Sequence, residues 1–252
     1  MSDDQEVLDR AWAAFERHTG RWHGPLVSRT VSSLSRFLML RLNTLTIDGL
    51  ERFHALRDRG ARGLLTFSNH VSMFDDPWLI SCIGYQRYSD LRWVAAEARN
   101  FFDTPAWSWF FSSGKCVPVV RGLGLEQPGF AFLSERLQAG DWVHVFPEGG
   151  RTREPGARLR LPFKPGIGRL IDEAQPWVLP FHHVGMDKIL PIGAKAPQRG
   201  QTVRVRFGEA KLFDTAEVSE LTRSPTARER YLAITQWAQD ALKALEHAAL
   251  SA

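Results

Sequence analysis

The stretch "SNHVSMFDDP" (residues 68–77) sets a histidine, His70, five residues before an acid, Asp75. A carboxylate on one nitrogen of an imidazole fixes its tautomer. It also stabilises the imidazolium formed when the other nitrogen takes a proton. The pair can therefore serve as a general base. No G-x-S-x-G elbow occurs in the chain, so His70 has no such protein serine to activate. The reading is a base acting on a substrate hydroxyl. The same residues also suit a helix start. Ser72 can cap, Asp75 and Asp76 favour the first turn, and Pro77 is tolerated there. Plain capping beside an incidental histidine remains open on this stretch alone. Ser72 as a nucleophile is disfavoured because the cap needs its oxygen.

The elements around this stretch alternate. Strands are expected at 63–67, 91–96, 115–120, 142–146, 177–181 and 202–207. Helices are expected at 5–19, 25–42, 76–84, 129–140, 166–174 and 226–248. This pattern predicts an α/β fold with a single mixed, mostly parallel sheet flanked by helices. The chain reads as a single domain over 1–252, with N-terminal helices in 1–42, a catalytic core over 43–210 and a closing helix over 226–248. Asn69-His70, Arg121-Gly122 and Pro147-Glu148-Gly149 each follow a strand. In open α/β sheets, sites lie beyond the carboxyl ends of strands, so the three stretches should meet in one cleft.

Five blocks occur in order: "NHVSMFDDP", "GKCVPVVRG", "VHVFPEGGRT", "FKPGIGRLI" and "VLPFHHVGMDKILP". Together they resemble the glycerophospholipid acyltransferase superfamily, with its His-x4-Asp and Phe-Pro-Glu-Gly blocks. Within it they look most like the tafazzin family of phospholipid–lysophospholipid transacylases. The resemblance spans residues 35–210 and implies roles. His70 would be the base and Asp75 its orienting acid. Arg121 would bind the acceptor's phosphate, with Gly122 letting backbone approach. Glu148 and Gly149 would hold the acceptor's glycerol part. Asn69, Ser72 and Pro147 would support them. Gly150 departs from the pattern, in which the family carries Lys, Thr or Ser.

The implied reaction is O-acyl transfer onto a lysophospholipid hydroxyl. A charge-neutral ester exchange calls for no metal and no bound cofactor. The donor would be a phospholipid. Acyl-CoA or acyl-carrier protein as co-substrate, making phosphatidate from lysophosphatidate, is the alternative. A non-catalytic membrane-surface or nucleic-acid-binding protein is the remote rival. The tafazzin-like reading expects no nucleic acid partner and leaves the oligomeric state open.

Composition bounds the rest. Of 252 residues, 44% are hydrophobic and 24% charged, which suits a globular core. A net charge of +4 favours an anionic partner. Two cysteines make neither a disulfide framework nor a metal set. His144, His182 and His183 lack ligand spacing and are read as structural. No run of 18 apolar residues is present. Nine Trp and sixteen Phe are many for this length. "NFFDTPAWSWFF" (100–111) suggests membrane contact through Trp107, Trp109, Phe110 and Phe111. Residues 26–42, with Leu26, Leu34 and Phe37 among Arg29, Arg36 and Arg41, read either as lipid-facing or as packed on the sheet. The basic run 151–164 suggests headgroup contact. The acidic N-terminus lacks a mitochondrial address. A peripheral protein on the cytoplasmic face of a bacterial inner membrane is the simpler expectation.

Overall fold

A computed structural model describes residues 2–84, 87–224 and 226–250. Two helices come first, α1 (Asp3–His18) and α2 (His23–Arg41). Then follow β1 (Thr44–Asp48), α3 (Leu50–Ala55) and β2 (Leu64–Ser68). A π-helical turn (Asp75–Ile80) runs into α4 (Ser81–Ile83), β3 (Trp93–Glu97), α5 (Ala98–Phe101) and α6 (Pro105–Ser113). Next come β4 (Cys116–Val119), α7 (Pro128–Gln138), β5 (Trp142–Val145), α8 (Gly166–Ala174) and β6 (Trp177–Val184). The chain ends with α9 (Met186–Ile189), β7 (Thr202–Phe207), β8 (Lys211–Leu212), α10 (Thr215–Leu221) and α11 (Ala227–Leu250).

The strands form one mixed sheet in the order β1-β7-β6-β2-β5-β3-β4, with β8 on β6. β6, β2, β5, β3 and β4 are mutually parallel, and β7 and β8 run against β6. The mixed, mostly parallel sheet agrees with the sequence. β1, α3, α5, α6, α9, α10 and β8 are not anticipated by the sequence reading. β2 is buried throughout, as a central parallel strand with both faces covered should be. Its side chains alternate between two cores. Leu65 and Phe67 join Val143, Leu133, Ile171 and Ile234. Leu64 joins Leu179, Phe181, Phe207, Phe53 and Met39 on the other side.

Register places the site. Ser68 lies opposite Phe181 on β6, and Phe67 opposite Val145 on β5. The residues after β2 therefore leave the sheet between the ends of β6 and β5. Glu97, the last residue of β3, lies opposite Val119 on β4, so Arg121 emerges beside them.

The N-terminal helices bury opposite kinds of face. α1 turns Leu8, Ala11 and Phe15 inward. α2 turns Gly24, Ser28, Ser32, Ser35 and Met39 inward. Its small residues allow close packing: Ser28 Oγ donates to the Ser113 carbonyl at 3.0 Å, and Ser81 Oγ to Ser32 Oγ at 3.1 Å. Leu26, Leu34 and Phe37 stay more than half exposed. Of the two readings of 26–42, packing on the protein thus falls to the serines with Met39 and part of Leu38, while Leu26, Leu34 and Phe37 face outward. α6 divides the aromatic stretch. Trp107 and Trp109 are exposed, but Phe110 and Phe111 are half-buried, and Phe111 packs on Phe101 (4.7 Å between ring centres) and the core. Phe111 holds the helix down, while Phe110 packs on Trp107 and Phe111 of its own helix.

Among the described residues, no helix is long and apolar enough to cross a membrane.

Candidate active site

His70 Nδ1 lies 3.0 Å from Asp75 Oδ2. The same carboxylate oxygen accepts the backbone N–H groups of Val71 at 2.7 Å and Ser72 at 2.8 Å. The chain after β2 thus curls round Asp75. This differs from the expected capping, because the acid collects the loop amides. Ser72 caps no helix: its hydroxyl accepts from Phe74 N at 3.3 Å. Asp75 opens a π-helical turn, a wide geometry often found at functional sites. Pro77 costs nothing in that first turn, where its missing N–H has no partner to lose. Burial opposes charge on Asp75. The neighbouring His183 and His70 and the Ser72 amide outweigh it, holding the carboxyl below its ordinary value. With Nδ1 engaged, His70 presents Nε2, and about a fifth of its side chain remains exposed.

The backbone of His70 is pinned at both ends. Its N–H donates to Glu148 Oε1 at 2.6 Å, and its carbonyl accepts Thr152 N at 2.7 Å. Glu148 Oε2 accepts Arg160 N at 2.7 Å. Both oxygens of this fully buried acid are therefore held by backbone amides. Glu148 is expected from the resemblance to hold the acceptor; in the structure it clamps the histidine loop to the following loop. Burial pushes its carboxyl up to about 7 against the pull of those amides. Pro147 joins the clamp through its carbonyl, which accepts Lys164 N at 2.7 Å. Phe146 stacks on the His70 ring at 4.1 Å. Gly149 takes φ +71°, a turn that favours glycine.

Asn69 ties the loop to β6. Its side-chain amide donates to the His183 carbonyl at 2.8 Å and accepts His183 N at 2.9 Å.

On the open side stand two guanidinium groups. Arg121 Nε pairs with Glu97 Oε2 at 3.1 Å, yet more than half of its side chain is exposed. A Cβ built on Gly150 would lie 3.5 Å from atoms of both Arg121 and Arg160. The unexpected glycine therefore sits where the two cations converge. Arg160 was seen only as part of a basic run, and nothing in local spacing pairs it with Arg121. Gly122, at φ +95°, has open space beside it. Planar guanidiniums grip phosphate through paired N–H donors.

Among the described residues no group of three His, Cys, Asp or Glu is placed to hold a metal. His144 is buried against Thr66 Oγ1 at 2.9 Å. His182 lies on the opposite face of β6 from His183.

The acyltransferase family model matches residues 44–184. The tafazzin of Drosophila melanogaster is 37% identical over 191 residues, covering 73% of this chain and 50% of that protein. The chain thus spans about half the length of that relative. The N-acylphosphatidylethanolamine synthase of Arabidopsis thaliana is 32% identical over 222 residues, covering 83% of this chain and 78% of that protein. Among solved structures, the 1-acyl-sn-glycerophosphate (LPA) acyltransferase PlsC of Thermotoga maritima matches with a TM-score of 0.58. It covers 88% of this chain and 78% of that one at 18% identity, a likeness of fold. The ordered blocks, the matched sheet and the 37% identity agree: the chain belongs to the acyltransferase family and is a tafazzin-like member of it.

Proposed function

We propose that this protein moves a fatty acyl group from a phospholipid onto the hydroxyl of a lysophospholipid at a membrane surface. One observation carries the reading. His70, fixed through Nδ1 by Asp75, presents its second nitrogen on the same edge of the sheet as the paired guanidiniums of Arg121 and Arg160. Base and phosphate grip are what a glycerophosphate hydroxyl needs.

His70 Nε2 takes the hydroxyl proton as the oxygen attacks the donor ester carbonyl. The tetrahedral intermediate collapses, and the C–O bond to the donor glycerol breaks. That departing oxygen takes the proton from His70. One ester is made and one lost, with no change in charge. Arg121 and Arg160 hold the acceptor phosphate so that the hydroxyl stays against Nε2, and Gly122 leaves room for the headgroup. The outward leucines and Phe37 of α2, with Trp107 and Trp109, make the lipid-facing side. Arg29, Arg36 and Arg41 suit an anionic headgroup layer. With Cys82 and Cys116 both free, the cytoplasmic face of a bacterial inner membrane is the surface proposed.

The test uses vesicles containing a lysophospholipid and a radiolabelled diacyl phospholipid, with and without acyl-CoA, beside His70→Ala. Label moving without acyl-CoA, and only with His70 intact, is the expected result. Transfer that requires acyl-CoA would replace the phospholipid donor by a thioester. A base-stable labelled product would mean an amine acceptor in place of the hydroxyl. No transfer under any condition overturns the proposal.

A further inference from the structure

His183 is buried, titratable and so far without a role. It sits on β6, 114 residues from Asn69 in sequence. Its ring Nε2 lies 3.0 Å from the Asn69 carbonyl and 3.8 Å from Asp75 Oδ2. A carbonyl oxygen only accepts, so Nε2 must carry the ring proton. His183 Nδ1 meets no donor or acceptor among the described residues, which leaves it the bare nitrogen. Burial lowers the basicity of this ring, and the Asp75 charge and the Asn69 bond oppose that fall only in part. The other titratable groups around it are His70 and Asp187, with His144 and His182 on the neighbouring strand positions.

The Asn69 residue is thus held from several sides. Its side chain makes two bonds to the His183 backbone, and its carbonyl accepts from the His183 ring N–H and from Ser68 Oγ, each at 3.0 Å. Asn69 immediately precedes His70, so its orientation sets the direction of the catalytic ring. The N–H edge of His183 also faces the carboxylate oxygen that His70 uses.

We propose that His183 is a positioning residue for acyl transfer: a neutral imidazole, protonated on Nε2, that fixes the Asn69 carbonyl and backs the Asp75 carboxylate, and so aims His70 at the substrate hydroxyl. The proposal rests on the function above, but part of its test does not.

His183→Phe keeps a ring and removes the donor. His183→Gln puts an amide N–H at about the reach of Nε2. The Phe variant should lose turnover on the order of a hundredfold, the scale of a misdirected base. Its KM for lysophospholipid should stay within roughly threefold, because the phosphate grip is untouched. The Gln variant should recover to within about tenfold of the parent. A merely structural role would lower thermal stability without this split or rescue. Turnover of the Phe variant within about threefold of the parent, or a Gln variant no better than Phe, overturns the proposal. Histidine nitrogen NMR of the parent protein, with the His183 signals assigned by their loss in the Gln variant, needs no substrate. The expected signature is a neutral ring protonated on Nε2 that does not titrate across the neutral range. A proton on Nδ1, or titration there, overturns the proposal even if no acyl transfer is ever detected. A parent protein with that signature but no transfer would sink the assigned function and leave the geometry standing.

Discussion

The two sides of the site are built differently. On the base side, His70 is held through its ring, its amide and its carbonyl, and Asp75 and Glu148 are buried. On the proposed phosphate side, Arg121 is tethered to a single acid and is more than half exposed. Under the proposed function the difference follows the work. A proton-transfer group must be held to fractions of an ångström, and a rigid, buried shell does that. A headgroup grip must admit and release a charged ligand, so it tolerates water and motion.

Substitutions can sharpen or break this contrast. His70→Ala removes the base and should lower turnover by about 10³-fold with vesicle binding unchanged, as a sedimentation assay would show. Asp75→Asn should cost about 10²-fold in turnover, since an amide cannot accept the His70 and backbone N–H groups as a carboxylate does. It should also alter acid stability. A carboxyl held below its ordinary value adds stability above that ordinary value, and this is lost as pH falls through the folded one. Thermal melts over acid pH should therefore show a shallower limb for the Asn variant.

Glu148→Gln should lower turnover about tenfold with KM little changed, because its target is the histidine loop. A rise in KM alone would return Glu148 to the acceptor and blur the two sides. Arg121→Lys should do the reverse, raising KM for lysophospholipid several-fold, roughly a few-fold to tenfold, while sparing turnover. Leu34→Ser with Phe37→Ser should change turnover least: on detergent-dispersed substrate it should stay within about twofold, while vesicle binding weakens about tenfold through lost apolar contact.

His70 and Asp75 could be singled out because they lie five apart, but that spacing alone left plain capping open, and the five ordered blocks with their family resemblance supplied the roles. The sheet was legible from local pattern, since buried strands such as β2 are nearly continuous apolar runs. What stayed hidden came from distant chain. His183 reaches Asn69 across 114 residues, and Arg160 meets Arg121 only because two loops fold over Gly150. Glu148 was legible as a site residue, but its backbone partners were not. Sequence shows an acid after a strand, and it does not show that two loop amides will take both oxygens. In α2 the apolar residues were plain, but periodicity says which side chains share a face, not which face turns inward. The serine stripe, with Met39, settled that by packing closely enough to leave Leu26, Leu34 and Phe37 outside.

Under the proposed function, that outward face has a kinetic consequence. A catalyst resting on lipid through α2 samples substrates in two dimensions, so its velocity follows the mole fraction of lysophospholipid in the layer and not the amount suspended per volume. Diluting the layer with inert lipid would slow it at constant bulk concentration. Acyl chains would be exchanged within one leaflet, and the composition of that leaflet would itself set the direction of exchange.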